Sequence, residues 1–232
     1  MKELIASPFF GITLTAAAYW AGVRIQKKTG LVICNGLLLA ALMVIVVLTV
    51  FNIPYDSYNA GGSMINMMLG PATACMAVSI YRKWELLKKN VLPILAGCFA
   101  GAVTGIVSVF LLCRLFGLDD TLTVTLLPKA VTTPIATAIA EPHGGVISIT
   151  AVAVIFTGIL GNLSAPFLIR LFRVENDPLA AGLAIGACSH GIGTARALEL
   201  GETEGAMSGL AIGICGLMTA CLSLGFDWLL RL

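Results

Sequence analysis

This sequence contains few charged residues. Only 11% of its 232 residues are Asp, Glu, Lys or Arg, whereas soluble domains carry about 25%. By contrast, 58% of the residues are hydrophobic and the mean hydropathy is +0.97. This balance excludes an ordinary soluble domain and predicts an all-α polytopic membrane protein, with residues 1–232 forming one integral membrane domain. A net charge of +2, with no basic and aromatic patch, argues against a nucleic-acid partner.

The chain also lacks the spacings that hold metals or perform hydrolysis. It contains no CxxC, no Cys-His metal spacing, and no GxSxG, HExxH or GxxxxGK[ST]. We therefore expect neither an enzyme nor a bound metal or cofactor. The cysteines are scattered through apolar runs, which predicts that they are small packing residues; they are Cys34, Cys75, Cys98, Cys113, Cys188, Cys215 and Cys221. The N-terminus has no pattern of signal-peptide cleavage, so we interpret the first apolar run as a retained span.

Long hydrophobic runs are what the chain has in abundance. A membrane span needs about 20 apolar residues, and six stretches qualify: 4–23, 31–53, 64–81, 91–116, 146–168 and 206–230. Two further segments, 121–140 and 178–199, are hydrophobic but carry polar groups and are interrupted by Pro or Gly. These features divide the chain into a four-span scaffold (1–116) and two units (117–232), each an interrupted segment followed by a clean span.

The two interrupted segments share a layout. Each leads into a short turn with Gly and Glu, "EPHGG" or "GETEG", and then into an apolar span. Three residue pairs match at an offset of 60 positions: Gly145 and Gly205, Ser148 and Ser208, and Ala151 and Ala211. The agreement in layout is stronger than the agreement in letters. Paired interrupted segments are typical of transporters built from inverted repeats, in which they form the binding site.

The distribution of Lys and Arg predicts the orientation. The first loop carries Arg24, Lys27 and Lys28, and the third carries Arg82, Lys83, Lys88 and Lys89. The loop between them, "PYDSYNAGGS", has neither Lys nor Arg. The first and third loops are therefore expected in the cytoplasm and the N-terminus outside. Arg170 and Arg173 follow the same rule only if 121–140 enters and leaves on one side, so a re-entrant segment and a full crossing both stay open.

Lys129 lies in the first interrupted segment, "LLPKAVTTPIATAIAE", between Pro128 and Pro134. Proline removes a helical hydrogen bond and clashes with the carbonyl four residues earlier, so this stretch is expected to unwind. A new helix then begins at Pro134, capped by Thr132 or Thr133. A lysine beside the positive end of a helix dipole makes a site for an anion. The alternatives are a simple proline kink and a buried ion pair.

Arg196 lies in the second interrupted segment, "GACSHGIGTARALEL", where glycines take the place of proline. Gly191 and Gly193 allow the backbone to unwind or to approach another chain closely. Arg196 can hold a carboxylate with two hydrogen bonds, or it can pair with Glu199 on the same helix face. His190 titrates near neutral pH and can carry a proton, or it can be a hydrogen-bonded core histidine.

These residues make up one predicted substrate site. Its members are Lys129, Thr132, Thr133, Pro134, Ser189, His190, Gly191, Gly193, Thr194 and Arg196, with His190 and Glu199 as candidates for proton coupling. The site predicts a secondary carrier of a small carboxylate anion. Glycine spaced four residues apart, at 97, 101 and 105, is typical of close helix packing and makes a homodimer the expected assembly.

Three long stretches resemble the LrgB/CidB family: "LLPKAVTTPIA", "ISITAVAVIFTGILG" and "GACSHGIGTARALELGETEGAMSGLA", together with "YDSY". The resemblance covers essentially the whole chain, and includes the YohK-like bacterial inner-membrane proteins and a domain of the plastid glycolate/glycerate transporter. It implies a multi-pass protein of the bacterial inner membrane and, for a carrier, small monocarboxylates such as glycolate, glycerate, pyruvate or lactate as substrates. It also implies an alternative function, a holin/antiholin-like protein that modulates murein hydrolase export and autolysis with a smaller LrgA/CidA-type membrane partner.

Overall fold

The computed structural model describes residues 7–29 and 36–230, and within these ranges the regular structure is helical, with no strand. Three helices in this part of the chain are long and apolar enough to cross a membrane: Val91–Leu115, Ile147–Leu171 and Glu202–Ser223. The all-α class and the membrane character predicted from composition are thereby confirmed. The count of six spans stays a prediction, and the first residues of the two earliest predicted spans lie outside the described residues.

The chain divides into two compact units after Cys75. The first contains α1 (Pro8–Thr29), α2 (Gly36–Val50) and α3 (Tyr55–Met67). Glycine sets how closely α1 can approach its two neighbours, because an added Cβ would meet backbone atoms of the other helix. It would lie 2.3 Å from the Tyr58 carbonyl oxygen at Gly11, and 2.4 Å from the Gly36 carbonyl oxygen at Gly22. Thr15 and Tyr58 join α1 to α3 by a 3.0 Å hydrogen bond between their hydroxyls.

Two boundaries in this region differ from the sequence predictions. The stretch predicted as a loop, "PYDSYNAGGS", is helical from Tyr55 onward, because Pro54 fits the position before a first helical turn and tertiary packing against α1 overrides the weak helix propensity of the polar residues. The predicted span 64–81 is divided between α3 and α4 (Leu69–Arg82), with the break at Met68. Pro71 lies within the first turn of α4, where its missing N–H costs no helical bond.

The second unit holds the remaining elements. They are α5 (Trp84–Lys89), α6 (Val91–Leu115), α7 (Asp120–Leu126), a 3₁₀ turn (Leu127–Ala130), α8 (Thr133–Ala140), a second 3₁₀ turn (Glu141–His143), α9 (Ile147–Leu171), α10 (Pro178–Leu200), α11 (Glu202–Ser223) and α12 (Phe226–Leu230). Helix α11 begins before the predicted 206, since Glu202 and Glu204 suit the positive end of the helix dipole. It ends at a turn through Leu224 and Gly225, so 206–230 is not one helix.

Helices α10 and α11 pack against each other at the centre of this unit, and the segments of α10 on either side of His190 both contact the first half of α11. An added Cβ would lie 2.5 Å from the Glu204 carbonyl oxygen at Gly182, and 2.3 Å from the Ser208 carbonyl oxygen at Gly186. Helix α6 covers this pair through a cluster that includes Cys98, Met207, Ala211 and Cys215. Small residues therefore bring the polar segment of α10 against neighbouring backbone, which is how a helix packs in a membrane protein without loss of contact area.

The cysteines divide into two groups by burial. Cys98, Cys113 and Cys215 are buried in the apolar clusters between α6 and its neighbours, as expected of packing residues. The Cys215 thiol lies 3.7 Å from the Cys98 carbonyl oxygen and donates a weak hydrogen bond to it. Cys75, Cys188 and Cys221 are exposed, and Cys34 lies outside the described residues.

Candidate functional site

The chain leaves α-helical geometry between α7 and α8. The 3₁₀ turn Leu127–Ala130 contains Pro128 with φ −85° and ψ 16°. Val131 is extended, with φ −131° and ψ −179°, and so is Thr132, with φ −66° and ψ 151°. Pro134 explains part of this break, because it has no N–H to bond the carbonyl of Ala130 four residues earlier. The Ala130 carbonyl is consequently left for another donor.

Helix α8 begins at Thr133, and its N-cap residue is Thr132, whose side chain makes no capping hydrogen bond. Thr132 therefore occupies the predicted cap position, but its side chain does not make the predicted capping hydrogen bond. Thr132 and Thr133 are half-buried, and Pro134 is exposed. The first amide groups of α8 have no partner within the helix, which leaves the positive end of its dipole open to an anion.

Lys129 lies in the 3₁₀ turn and is half-buried. None of the ion pairs between described residues involves Lys129. Its ammonium is close enough to the His190 ring and to the Cys188 thiol to act on both electrostatically. A cation at membrane depth costs several kcal/mol unless it is paired or hydrated.

His190 breaks α10 where the sequence places glycines. Its backbone has φ 43° and ψ −135° inside Pro178–Leu200, a conformation that costs a non-glycine residue about 1–3 kcal/mol. Gly191 and Gly193 do not have positive φ; Gly193 instead lies where an added Cβ would be 2.4 Å from the Ser189 Cβ. Gly191, the next residue, could adopt this conformation without steric cost, but His190 adopts it instead. This indicates that the imidazole is needed at this position.

The imidazole of His190 is buried, with 4% of the residue exposed. It faces the backbone carbonyl of Ala130, the group freed by Pro134. Its Nε2 is buried and has no hydrogen-bond partner in the part of the chain that the structure describes. Such an orphaned group costs about 1–3 kcal/mol, so a ligand or water that bonds it recovers that energy. His190 and Lys129, one from each broken segment, thus bring a ring nitrogen and an ammonium, neither paired by a described residue, within electrostatic reach of each other.

Three polar residues hold the bend of α10. The sequence assigns Thr194 to the substrate site, but it does not assign Asn162 or Ser208 to it. The Asn162 side-chain amide, on α9, donates to the Ile192 carbonyl oxygen at 2.8 Å. The Thr194 hydroxyl donates to the His190 carbonyl oxygen at 2.9 Å and lies 2.8 Å from the Ser208 hydroxyl of α11. Thr194 is therefore occupied by protein partners. Asn162 could have been found as the single Asn of the predicted span 146–168.

The remaining predicted residues lie at different distances from this centre. Ser189 is 1% exposed and lies against α9, where a Cβ added to Gly161 would be 1.8 Å from its hydroxyl oxygen. Gly191 is exposed and has no atom near its missing Cβ. Arg196 pairs with Glu199 at 2.5 Å, and their side chains are 34% and 62% exposed. The structure thus brings Lys129 and His190 together, whereas Arg196 is held by the carboxylate that the sequence offered as its alternative partner.

Comparisons with known proteins give a consistent family. The model of the LrgB-like family matches residues 15–227. The "Uncharacterized protein YxaC" of Bacillus subtilis (strain 168) is 36% identical over 207 residues, which cover 89% of this chain and 90% of that protein. The "Antiholin-like protein LrgB" of Bacillus cereus (strain B4264) is 36% identical over 214 residues, covering 92% and 93%. A protein of the same name from Bacillus anthracis matches equally well. No solved structure matches.

Proposed function

The chain belongs to the LrgB-like family, and from that premise we propose that it is a secondary carrier of small monocarboxylates. The observation that supports this proposal is the juxtaposition of Lys129, which has no described carboxylate partner, with the buried and unpartnered Nε2 of His190. A carboxylate offers an oxygen to the ammonium, and a second polar group on a small acid offers a partner to the ring nitrogen. No such pairing is needed for packing alone.

Each predicted residue has a role in this proposal. Lys129 neutralises the anion near the start of α8, where Thr132, Thr133 and the Ile135 amide bond its oxygens. Ser189, Gly191 and Gly193 shape the facing wall on α10, while Thr194 acts through the backbone of His190. Arg196 joins the site only after it leaves Glu199. His190 or Glu199 carries a coupled proton. The protein acts as a carrier and not as an enzyme.

The setting of this proposal is the inner membrane of a bacterium. Six spans and two interrupted segments, 121–140 and 178–199, cross or re-enter the bilayer, with the N-terminus outside. The glycine-rich faces support a homodimer; on α6, Gly97 has no atom within 4 Å of its missing Cβ and is free for such a contact, whereas Gly101 and Gly105 already pack within the chain. Movement of the interrupted segments relative to neighbouring spans provides alternating access.

A second candidate function is that of an antiholin-like membrane protein, which modulates murein hydrolase export and autolysis with an LrgA/CidA-type partner. The names of two relatives support it directly, since they are called antiholin-like. On the comparisons alone this candidate is favoured over the carrier. The half-buried lysine and the strained histidine are what it leaves unexplained, because assembly through apolar helix faces requires neither.

The first experiment is a thermal shift measurement on the purified protein with glycolate, glycerate, pyruvate and lactate. A ligand that binds only the folded state raises its stability by mass action, by about 2.7 kcal/mol at 100 times Kd. We expect a shift for at least one acid that is lost in Lys129→Ala. The matched control is Lys88→Ala, which removes an exposed cation paired with Glu85. A shift that persists in Lys129→Ala would contradict the assignment of this lysine.

Uptake by membrane vesicles separates the two candidates. A carrier shows saturable uptake of the acid that gives the shift, and Lys129→Ala abolishes it. An antiholin-like protein shows no saturable uptake and instead co-purifies with a small membrane partner of the LrgA/CidA type. The absence of any shift and any uptake, with the protein folded, would move the conclusion to the second candidate.

A further inference from the structure

We infer that Asn162, Thr194 and Ser208 are positioning residues, which hold the bend of α10 so that the His190 imidazole stays beside Lys129. The inference rests on the proposed anion site, and it assigns to these three residues a task that does not involve contact with the anion. It is supported by the hydrogen bonds at the bend, by the burial of the groups that make them, and by the close approach of α9.

The bend is held from α11 through a chain of two hydroxyls. The Thr194 hydroxyl has one proton, and it donates that proton to the His190 carbonyl oxygen at 2.9 Å. At the 2.8 Å contact between Thr194 and Ser208, the donor must then be the Ser208 hydroxyl. Both residues are almost fully buried. The carbonyl of the strained residue is thereby tied to a neighbouring helix and not only to its own.

The bend is held from α9 by one amide. The Asn162 side chain donates to the Ile192 carbonyl oxygen at 2.8 Å, two residues beyond the bend. Helix α9 can come this close because it has glycine at the contact: a Cβ on Gly158 would lie 2.9 Å from the Ile192 side chain, and one on Gly161 would lie 1.8 Å from the Ser189 hydroxyl. Both sides of His190 are therefore fixed to α9.

These restraints determine where the ring can be. The φ of 43° at His190 turns its side chain away from the direction that a continuous helix would give it. The ring then faces the Ala130 carbonyl and lies within electrostatic reach of the Lys129 ammonium. If the backbone conformation at His190 changes, the ring leaves this place although Lys129 does not move. The three residues act on the site through the backbone of α10.

The test uses the ring itself as a probe, apart from any transport. The chain has two histidines, so His143→Gln leaves His190 as the single source of imidazole signals in a ¹⁵N NMR spectrum. In this background we expect Thr194→Val, Ser208→Ala and Asn162→Leu to move the ring-nitrogen resonances, and Thr194→Ser, which keeps the hydroxyl, to restore them. Anion affinity, from thermal shift, is expected to fall by about tenfold or more in Thr194→Val and to recover in Thr194→Ser.

Matched controls remove a hydroxyl from the same helices without touching the bend. The Ser164 hydroxyl of α9 and the Ser223 hydroxyl of α11 bond carbonyls of their own helices at 2.8 Å and 2.7 Å. Ser164→Ala and Ser223→Ala should leave the resonances unchanged. If Thr194→Val does not fold, Ser208→Ala and Asn162→Leu carry the test.

The outcomes separate this inference from the proposed function. Resonances that stay unchanged in all folded variants overturn the positioning role, whatever the anion measurements give. Resonances that move as expected, in a protein that binds none of the four acids, support the positioning role and count against the carrier. A change of affinity without a change in the ring signals would indicate direct contact with the anion instead.

Discussion

Gly161 has no side chain, and this allows α9 to lie close to the bend of α10. A Cβ at this position would lie 1.8 Å from the Ser189 hydroxyl oxygen and 2.6 Å from the Ser189 Cβ. Ser189 is buried and cannot turn away into solvent. The contact therefore has to be relieved by a shift of helix backbone, which is the costly response of a packed interior to added volume.

We predict that Gly161→Ala lowers the stability of the folded protein by about 1–3 kcal/mol, the usual cost of overpacking. The measurement is the midpoint of thermal unfolding in detergent. Gly213→Ala is the control, because no atom lies within 4 Å of the Cβ it adds; alanine favours a helix interior by up to about 1 kcal/mol over glycine. Equal midpoints for the two variants would show that α9 does not lie this close to α10.

Arg196 poses a different question at the same scale, since its partner is already present. Glu199 holds the guanidinium on an open part of α10, and pairs of this exposure contribute little to stability. If Arg196 also binds the anion, Glu199 competes with it. Glu199→Gln should then raise the affinity for the acid by about threefold, within the range of an exposed pair, with little effect on stability.

The control for that prediction is the double variant Arg196→Gln with Glu199→Gln. It removes the competitor and the guanidinium together, so it should not show the gain. Binding isotherms by calorimetry distinguish the cases. An affinity that is the same in all three proteins would restrict the anion site to Lys129 and His190.

Prolines shape the first broken segment at the scale of a helical element. Pro134 supplies no N–H to the Ala130 carbonyl, and that carbonyl is the one the His190 ring faces. A sequence feature in one segment thereby creates the partner of a residue in the other. This explains why both segments are irregular at the same place in the fold.

Pro134→Ala tests this relation. The new N–H is expected to bond the Ala130 carbonyl, extend α8 toward its N-terminus and displace His190 from its partner. Amide hydrogen exchange should slow at residues 131–135, and affinity for the acid should fall. Pro178→Ala is the matched control. Pro178 lies in the first turn of α10, next to Asp177, whose carboxylate caps the helix by accepting the Leu179 and Ala180 amides. Unchanged exchange at 131–135 would mean that the break does not depend on the proline.

The extent to which sequence predicts these elements follows from the range of the forces involved. Hydrophobic runs and proline act locally, so Val91–Leu115 and Ile147–Leu171 lie within a few residues of the predicted 91–116 and 146–168. The bend at His190 depends on hydrogen bonds from α9 and α11, which no local pattern contains. Glycine predicted irregularity in α10 but not the residue that carries it, because Gly186 and Gly193 are used for close packing instead.

At the scale of the whole molecule, the family is identified from long matching stretches and the membrane character from composition. Both can be read directly from the sequence. The side of the membrane that each loop faces depends on a small number of charges. Arg24, Lys27 and Lys28 end α1, and Lys88 and Lys89 end α5. From the positive-inside rule we predict that both groups face the cytoplasm and that the segment around Asp56 and Asn59 faces outward.

Cysteine labelling in whole cells tests this orientation. In a cysteine-free background, Asn59→Cys should react with a membrane-impermeant maleimide in intact cells, whereas Lys89→Cys should react only after permeabilisation; both positions are exposed. Arg173→Cys then decides how residues 121–140 are arranged, because a re-entrant segment places Arg173 inside and a full crossing places it outside. Reaction at Lys89→Cys in intact cells would reverse the proposed topology. Reaction at Arg173→Cys in intact cells would instead keep the topology of the first half and require that two arginines violate the charge rule, with residues 121–140 crossing the whole bilayer.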